Sequence, residues 1–137
     1  MEALRAEFEG IAEWEERYAR LMAMGRALPA FPEPHRIDAN LIRGCQSRVW
    51  MFPEAVDGRV HFHVDSDALI TKGLAAFLVS IYQDLPAQEI LATEPVVLTQ
   101  LELARHLSPT RANGLGAMLK QMKLYAFALA HRSTSAP

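Results

Sequence analysis

Cysteine is nearly absent: Cys45 is the only one in 137 residues. A lone sulfur excludes an internal disulfide, and it supplies one ligand of a metal site that would need three or four. No apolar run approaches the roughly 18 residues a membrane span requires. Lys and Arg are scattered without a basic block and the net charge is −2. Nucleic acid, whose non-specific binding needs clustered cations, is therefore not an expected partner. The N-terminal Met1-Glu2-Ala3-Leu4-Arg5-Ala6-Glu7 is acidic and amphipathic, unlike a signal peptide. Repeats and low-complexity segments are also lacking. Half the residues are hydrophobic and 22% are charged, the balance of an ordinary globular domain able to bury a core without staples. A free thiol without an export signal fits a reducing compartment, so a cytoplasmic, membrane-free protein is expected.

Against that plain background the stretch Asn40-Leu41-Ile42-Arg43-Gly44-Cys45-Gln46-Ser47-Arg48-Val49-Trp50 stands out. The thiol is either a small buried hydrophobe, the commonest state of a free cysteine, or a group placed for reaction. Gly-Cys-Gln-Ser is poor core material, because glycine favours turns and the amide and hydroxyl want hydrogen-bond partners. The thiol is thus expected on a turn.

The rest of the chain reads as helices around a small sheet. Leu4, Phe8 and Ile11, then Trp14, Tyr18, Leu21 and Met22, recur at helical spacing, with Gly10 splitting the stretch and Gly25 as a stop signal. Leu28 to Pro34 holds three prolines and reads as an extended connector. From Arg48 the period changes to two. Val49–Phe52 predicts a strand, Asp57-Gly58 a hairpin turn, and Val60, Phe62 and Val64 the inward face of a second strand. His61, His63 and Asp65 share the other face. Together with Cys45 they raise the idea of a metal scaffold, but a solvated polar face is the preferred reading and no metal site is assigned.

Ser66-Asp67 is expected to cap a helix carrying Ile70, Leu74, Phe77, Leu78 and Ile81. Gly73 inside that helix suggests close approach by another segment. A turn of helix follows Pro86, and another short helix spans Leu98 to Leu107. Ser108-Pro109 opens the last helix, whose buried stripe is Leu115, Met118, Leu119, Met122, Tyr125, Ala126 and Leu129, with Gly114 and Gly116 again suggesting tight contact. Residues 132–137 read as a frayed tail. The order of elements predicts one α+β domain over 1–137, with a small antiparallel sheet of a hairpin and one further strand packed on N- and C-terminal helices.

Several segments in this order resemble the SufE family of sulfur acceptors. They are Trp14-Glu15-Glu16-Arg17-Tyr18, Leu28-Pro29, Gly44-Cys45-Gln46-Ser47-Arg48-Val49-Trp50, Asp65-Ser66-Asp67-Ala68 with Lys72-Gly73-Leu74, and Leu107-Ser108-Pro109-Thr110-Arg111 with Gly114-Leu115. The cysteine element is the most specific. The one noted departure, Thr110 where serine is usual, keeps a hydroxyl. The resemblance implies a SufE/NifU-like fold and a persulfide relay in iron–sulfur cluster assembly. A SufS-type cysteine desulfurase, using its own pyridoxal phosphate, would pass sulfur to Cys45, which would deliver it to an iron–sulfur cluster scaffold. The chain itself would need no cofactor and would act as a monomer or weak homodimer that stimulates its partner.

Cys45 is the expected nucleophile, with Gly44 as a hinge, Gln46 and Ser47 beside it and Arg111 reaching in from the last helix. Since only a thiolate attacks sulfur, Arg43, Arg48 and Arg111 are candidates for lowering its pKa. Leu41, Ile42, Val49 and Trp50 are expected to shield the persulfide. A thiol-based redox protein and a non-catalytic interaction module remain the alternatives.

Overall fold

The computed structural model describes residues 1–135, with side chains through Arg132. Two helices, α1 (Glu2–Glu9) and α2 (Trp14–Arg26), lead through a connector into a hairpin of β1 (Val49–Val56) and β2 (Arg59–Ser66). Then follow α3 (Leu69–Tyr82), the two-residue β3 (Leu85–Pro86), α4 (Ala87–Ala92), α5 (Val96–Gln100) and the long α6 (Pro109–Ser135). The sheet is antiparallel in the order β1-β2-β3, as the α+β expectation requires. The expected tail from Arg132 is helical as far as Ser135; Ala136 and Pro137 lie outside the described residues. Among the described residues no helix is long and apolar enough to cross a membrane.

Asp57 and Gly58 make the two-residue turn with φ of 51° and 77°, the paired left-handed conformation whose twist matches a hairpin. Strand β1 runs four residues past its predicted end and includes Pro53. Pro53 lies opposite Phe62, and the Phe62 N–H and C=O face away from β1, bonded to the Gln83 side-chain amide at 2.7 and 3.0 Å. At such a position the proline nitrogen points off the free edge of the sheet, where no ladder bond is lost.

Val49, Met51, Val60, Phe62 and Val64 form the buried inner face. Upon it lies α3, buried almost throughout from Thr71 to Tyr82, as a helix apolar on most sides must be. It is covered in turn by α2. Gly25 and Gly73 face each other there: a Cβ on Gly73 would sit 2.3 Å from the Leu21 carbonyl oxygen, and one on Gly25 would sit 2.9 Å from Gly73 N. Gly73 thus marks the close approach expected of it. Gly25 does not stop its helix, which continues to Arg26; it lets α2 and α3 touch backbone to backbone.

The outer face of the sheet is half covered by the connector. Phe52 stacks between His35 and His63, with ring centroids 3.9 and 4.4 Å apart, and meets Phe31 edge-on. Arg36 lies over Phe31 and Trp50 and pairs with Asp65 at 2.8 Å, which also pairs with Lys72. His61 pairs with Asp84 and His63 with Glu54. This face is therefore an aromatic and ionic seam that fastens the connector. No group of three or more metal-ligating side chains is found among the described residues.

Candidate active site at Cys45

The cysteine loop is tied at its neck. Ile42 N–H donates to Val49 C=O at 2.9 Å, and Leu41 bridges to Trp50. Beyond the neck, Gly44 turns the chain with φ 92°, a conformation costly for any other residue. A Cβ there would also meet Ala117 of α6 at 3.4 Å.

Ser66 and Asp67 do different work from the helix cap expected of them. The cap position of α3 is Ala68. Asp67 Oδ1 accepts the Arg48 N–H at 3.0 Å, Asp67 N–H donates to Arg48 C=O at 3.2 Å, and Ser66 Oγ donates to the same carbonyl at 2.8 Å. Three hydrogen bonds thus clamp the exit of the loop to the end of β2. Local sequence favours a cap because Ser-Asp before an apolar run is a common helix start; the partner 18 residues back is invisible to that pattern.

Cys45 is half-buried. It lines a cleft of about 100 Å³ with Gln46, Ser47, Ile70, Thr71, Arg111 and Gly114. Its thiol donates to the Gly114 C=O, 3.6 Å away. Thr71, a buried polar residue, donates its hydroxyl to Ser47 Oγ at 3.4 Å. Of the site residues expected from sequence, Gln46, Ser47 and Arg111 meet Cys45 at one cleft, and Gly44 forms the turn before it.

Ser108 caps α6 as expected, its hydroxyl accepting the Arg111 N–H at 3.3 Å. That cap sets the first turns of α6 so that Arg111 and Gly114, three residues apart, both face the loop. Gly114 was legible as a contact residue. Gly116 is not one: a Cβ there would meet nothing within 4 Å.

Two expectations are corrected. The expected lowering of the thiol pKa is not the net direction: burial pushes Cys45 up, because a thiolate loses hydration. The contact with Gly114 C=O acts in the same direction, since it favours the neutral thiol. The shield is also different. Ile42 and Val49 are buried in the core and Trp50 sits under Arg36. Ile70 and Leu74 of α3 and Met118 of α6 supply the apolar wall instead. Sequence neighbours of a turn residue alternate away from it, whereas helices from elsewhere close over it.

The thiol is thus half-buried, with its pKa raised by burial, on a loop tied at both ends. The family model for SufE, the Fe-S metabolism associated domain, matches residues 2–126. The chain belongs to the SufE family. Its relatives include the sulfur acceptor protein CsdE of Escherichia coli (strain K12), 37% identical over 119 residues, or 85% of this chain and 81% of that one. A solution structure of a hypothetical protein from Thermus thermophilus matches with a TM-score of 0.75 at 17% identity, covering 95% of this chain and 92% of the other. At that identity it shows that the SufE chain and the Thermus protein share a fold.

Proposed function

We propose that this protein is a sulfur acceptor that takes persulfide sulfur from a cysteine desulfurase onto Cys45 and carries it to an iron–sulfur cluster scaffold. The observation that supports the reading best is the placement of its only cysteine, half-buried in a small cleft against Gly114 on a loop that turns at Gly44. Kinship with a protein named as a sulfur acceptor supports the chemistry. In the transfer, the Cys45 thiolate attacks the outer sulfur of the donor's persulfide. A new S–S bond forms at Cys45, the donor's S–S bond breaks, and the donor cysteine leaves as a thiolate. The persulfide keeps its proton and no external oxidant or reductant is needed.

A thiol that rests protonated is a poor nucleophile, so docking has to move the loop and free the thiolate. Gly44 is the residue able to absorb the change in backbone angle. Engagement of the donor's cysteine also stimulates the desulfurase by removing its persulfide. The pyridoxal phosphate of the reaction belongs to that partner. A peroxide-consuming role fits less well, because such cysteines are exposed and of low pKa whereas burial raises this one.

Incubation with a cysteine desulfurase and cysteine, followed by mass spectrometry, tests the proposal. One added sulfur atom is expected on the Cys45 peptide, removable by reductant and absent in Cys45→Ser. No label with any cognate desulfurase would overturn the reading.

A further inference from the structure

The cations of this chain fall into two groups. Away from the cysteine, most are neutralised or bonded locally: Arg5 pairs with Glu2 and Glu9, Arg20 with Glu7, Arg36 with Glu33 and Asp65, Lys72 with Asp65, and Arg105 with Glu102. Arg17, Arg59 and Lys123 donate to backbone carbonyls, and Arg26 and Lys120 are single exposed cations. Around the cysteine the pattern inverts. Arg43 and Arg48 lie two residues before and three residues after Cys45, both exposed, and exposed Arg111 lines the same cleft. Among the described residues, the ion pairs involve none of these three side chains. Asp67 lies on this rim too, with its Oδ1 accepting the Arg48 N–H. An acidic chain of net charge −2 thus leaves three unpaired guanidinium groups around its reactive sulfur.

We infer that Arg43, Arg48 and Arg111 form a basic docking rim that takes an acidic surface surrounding the donor protein's persulfide cysteine. The inference rests on the sulfur-transfer reading and adds the character of the partner's face. Arginine suits the task because its planar fork pairs a carboxylate through two parallel hydrogen bonds. Free cations at the edge of an interface steer encounter and set its orientation. Orientation matters here, since two sulfurs must meet in line. Three arginines on a negatively charged chain are too few to hold a polynucleotide, and their arrangement around one thiol points to a protein that presents a sulfur.

The test is sulfur loading of Cys45 by a cognate cysteine desulfurase, with kcat/KM for the acceptor measured at about 50 mM and about 500 mM NaCl. Salt shortens the reach of exposed charges to a few ångströms, so wild-type kcat/KM is expected to fall about tenfold. Arg43→Glu and Arg48→Glu should each lower it about three- to tenfold at low salt, mainly through KM, and flatten the salt dependence. The control is Lys120→Glu. It makes the same change in net charge at an exposed position nine residues beyond Arg111, about 13 Å along α6 and half a turn round it. Arg43 and Arg48 are exposed, and circular dichroism will check that the variants fold. If the two reversals do no more than Lys120→Glu while wild-type protein still acquires sulfur, the rim is wrong and the transfer reading stands. If wild-type Cys45 acquires no sulfur at either salt, the transfer reading falls and takes the rim with it.

Discussion

The thiol of Cys45 donates to the carbonyl oxygen of Gly114, 69 residues further along the chain and 3.6 Å away. The same glycine leaves room for the sulfur: a Cβ on it would stand 3.6 Å from Sγ and 4.0 Å from the cysteine Cα. One residue of α6 therefore both accepts the proton side of the thiol and forms the floor on which it rests. The consequences can be measured.

Alkylation of the isolated protein by iodoacetamide should be slow at pH 7 and rise through a pKa above the usual thiol value, because burial raises it. The sign for stability follows. The folded state holds the thiol proton more tightly than the unfolded chain, so this contribution is full below the unfolded pKa and is lost as pH rises through the folded one. Cys45→Ala should unfold with a weaker loss of stability across that alkaline window. A thiol that titrates at or below the ordinary value would contradict the covered resting state.

Gly114→Ala separates stability from access. The added methyl makes ordinary contact with Cys45, and alanine is favoured over glycine inside a helix by about 1 kcal/mol. Thermal unfolding should move up by a few degrees, while alkylation of Cys45 slows severalfold. A faster alkylation would mean that Gly114 does not cover the sulfur.

Gly73→Ala should be severe. Its Cβ would stand 2.3 Å from the Leu21 carbonyl oxygen, and backbone cannot yield as a flexible side chain does. A loss of about 2–3 kcal/mol or more is expected in urea unfolding. Gly25→Ala acts at the same crossing, so the double variant should lose less than the sum of the singles. Additive losses would place the two glycines in separate contacts.

Asp67→Ala removes the acceptor for the Arg48 N–H, and Ser66→Ala removes a donor to the Arg48 carbonyl. Each should cost about 1 kcal/mol and, by loosening the loop exit, speed alkylation of Cys45. If stability fell with no change in alkylation, the clamp would matter to the fold but not to the loop.

Much of the architecture was legible because its causes are local. Asp57-Gly58 specifies the left-handed turn by its own backbone preferences, and the alternation of Val60, Phe62 and Val64 specifies which face is buried. Ser108-Pro109 announces the start of α6 for the same reason. The errors fell where a local pattern had a distant partner. Gly25 looked like a helix stop and is a crossing point, since only Gly73 across the interface explains it. Ser66 and Asp67 looked like a cap and are a clamp, since Arg48 competes for the same polar atoms. The strand expected over Val49–Phe52 runs on through Pro53 to Val56, because Gln83 rather than β1 faces that side of Phe62.

By itself the sequence determined which atom the proposed sulfur chemistry would use. With one cysteine in the sequence the proposed nucleophile has no rival, and the residues around it disfavour a regular element there. Tertiary structure alone decided the state of that atom. A thiolate's free energy depends on the water and dipoles around it, and those are set by α3 and α6, which reach Cys45 only after folding. They bring Thr71, Met118 and the Gly114 carbonyl to the cleft that holds the sulfur, while Arg43 and Arg48 stay exposed. For that reason burial raises the thiol's pKa, although its sequence neighbours suggested the opposite.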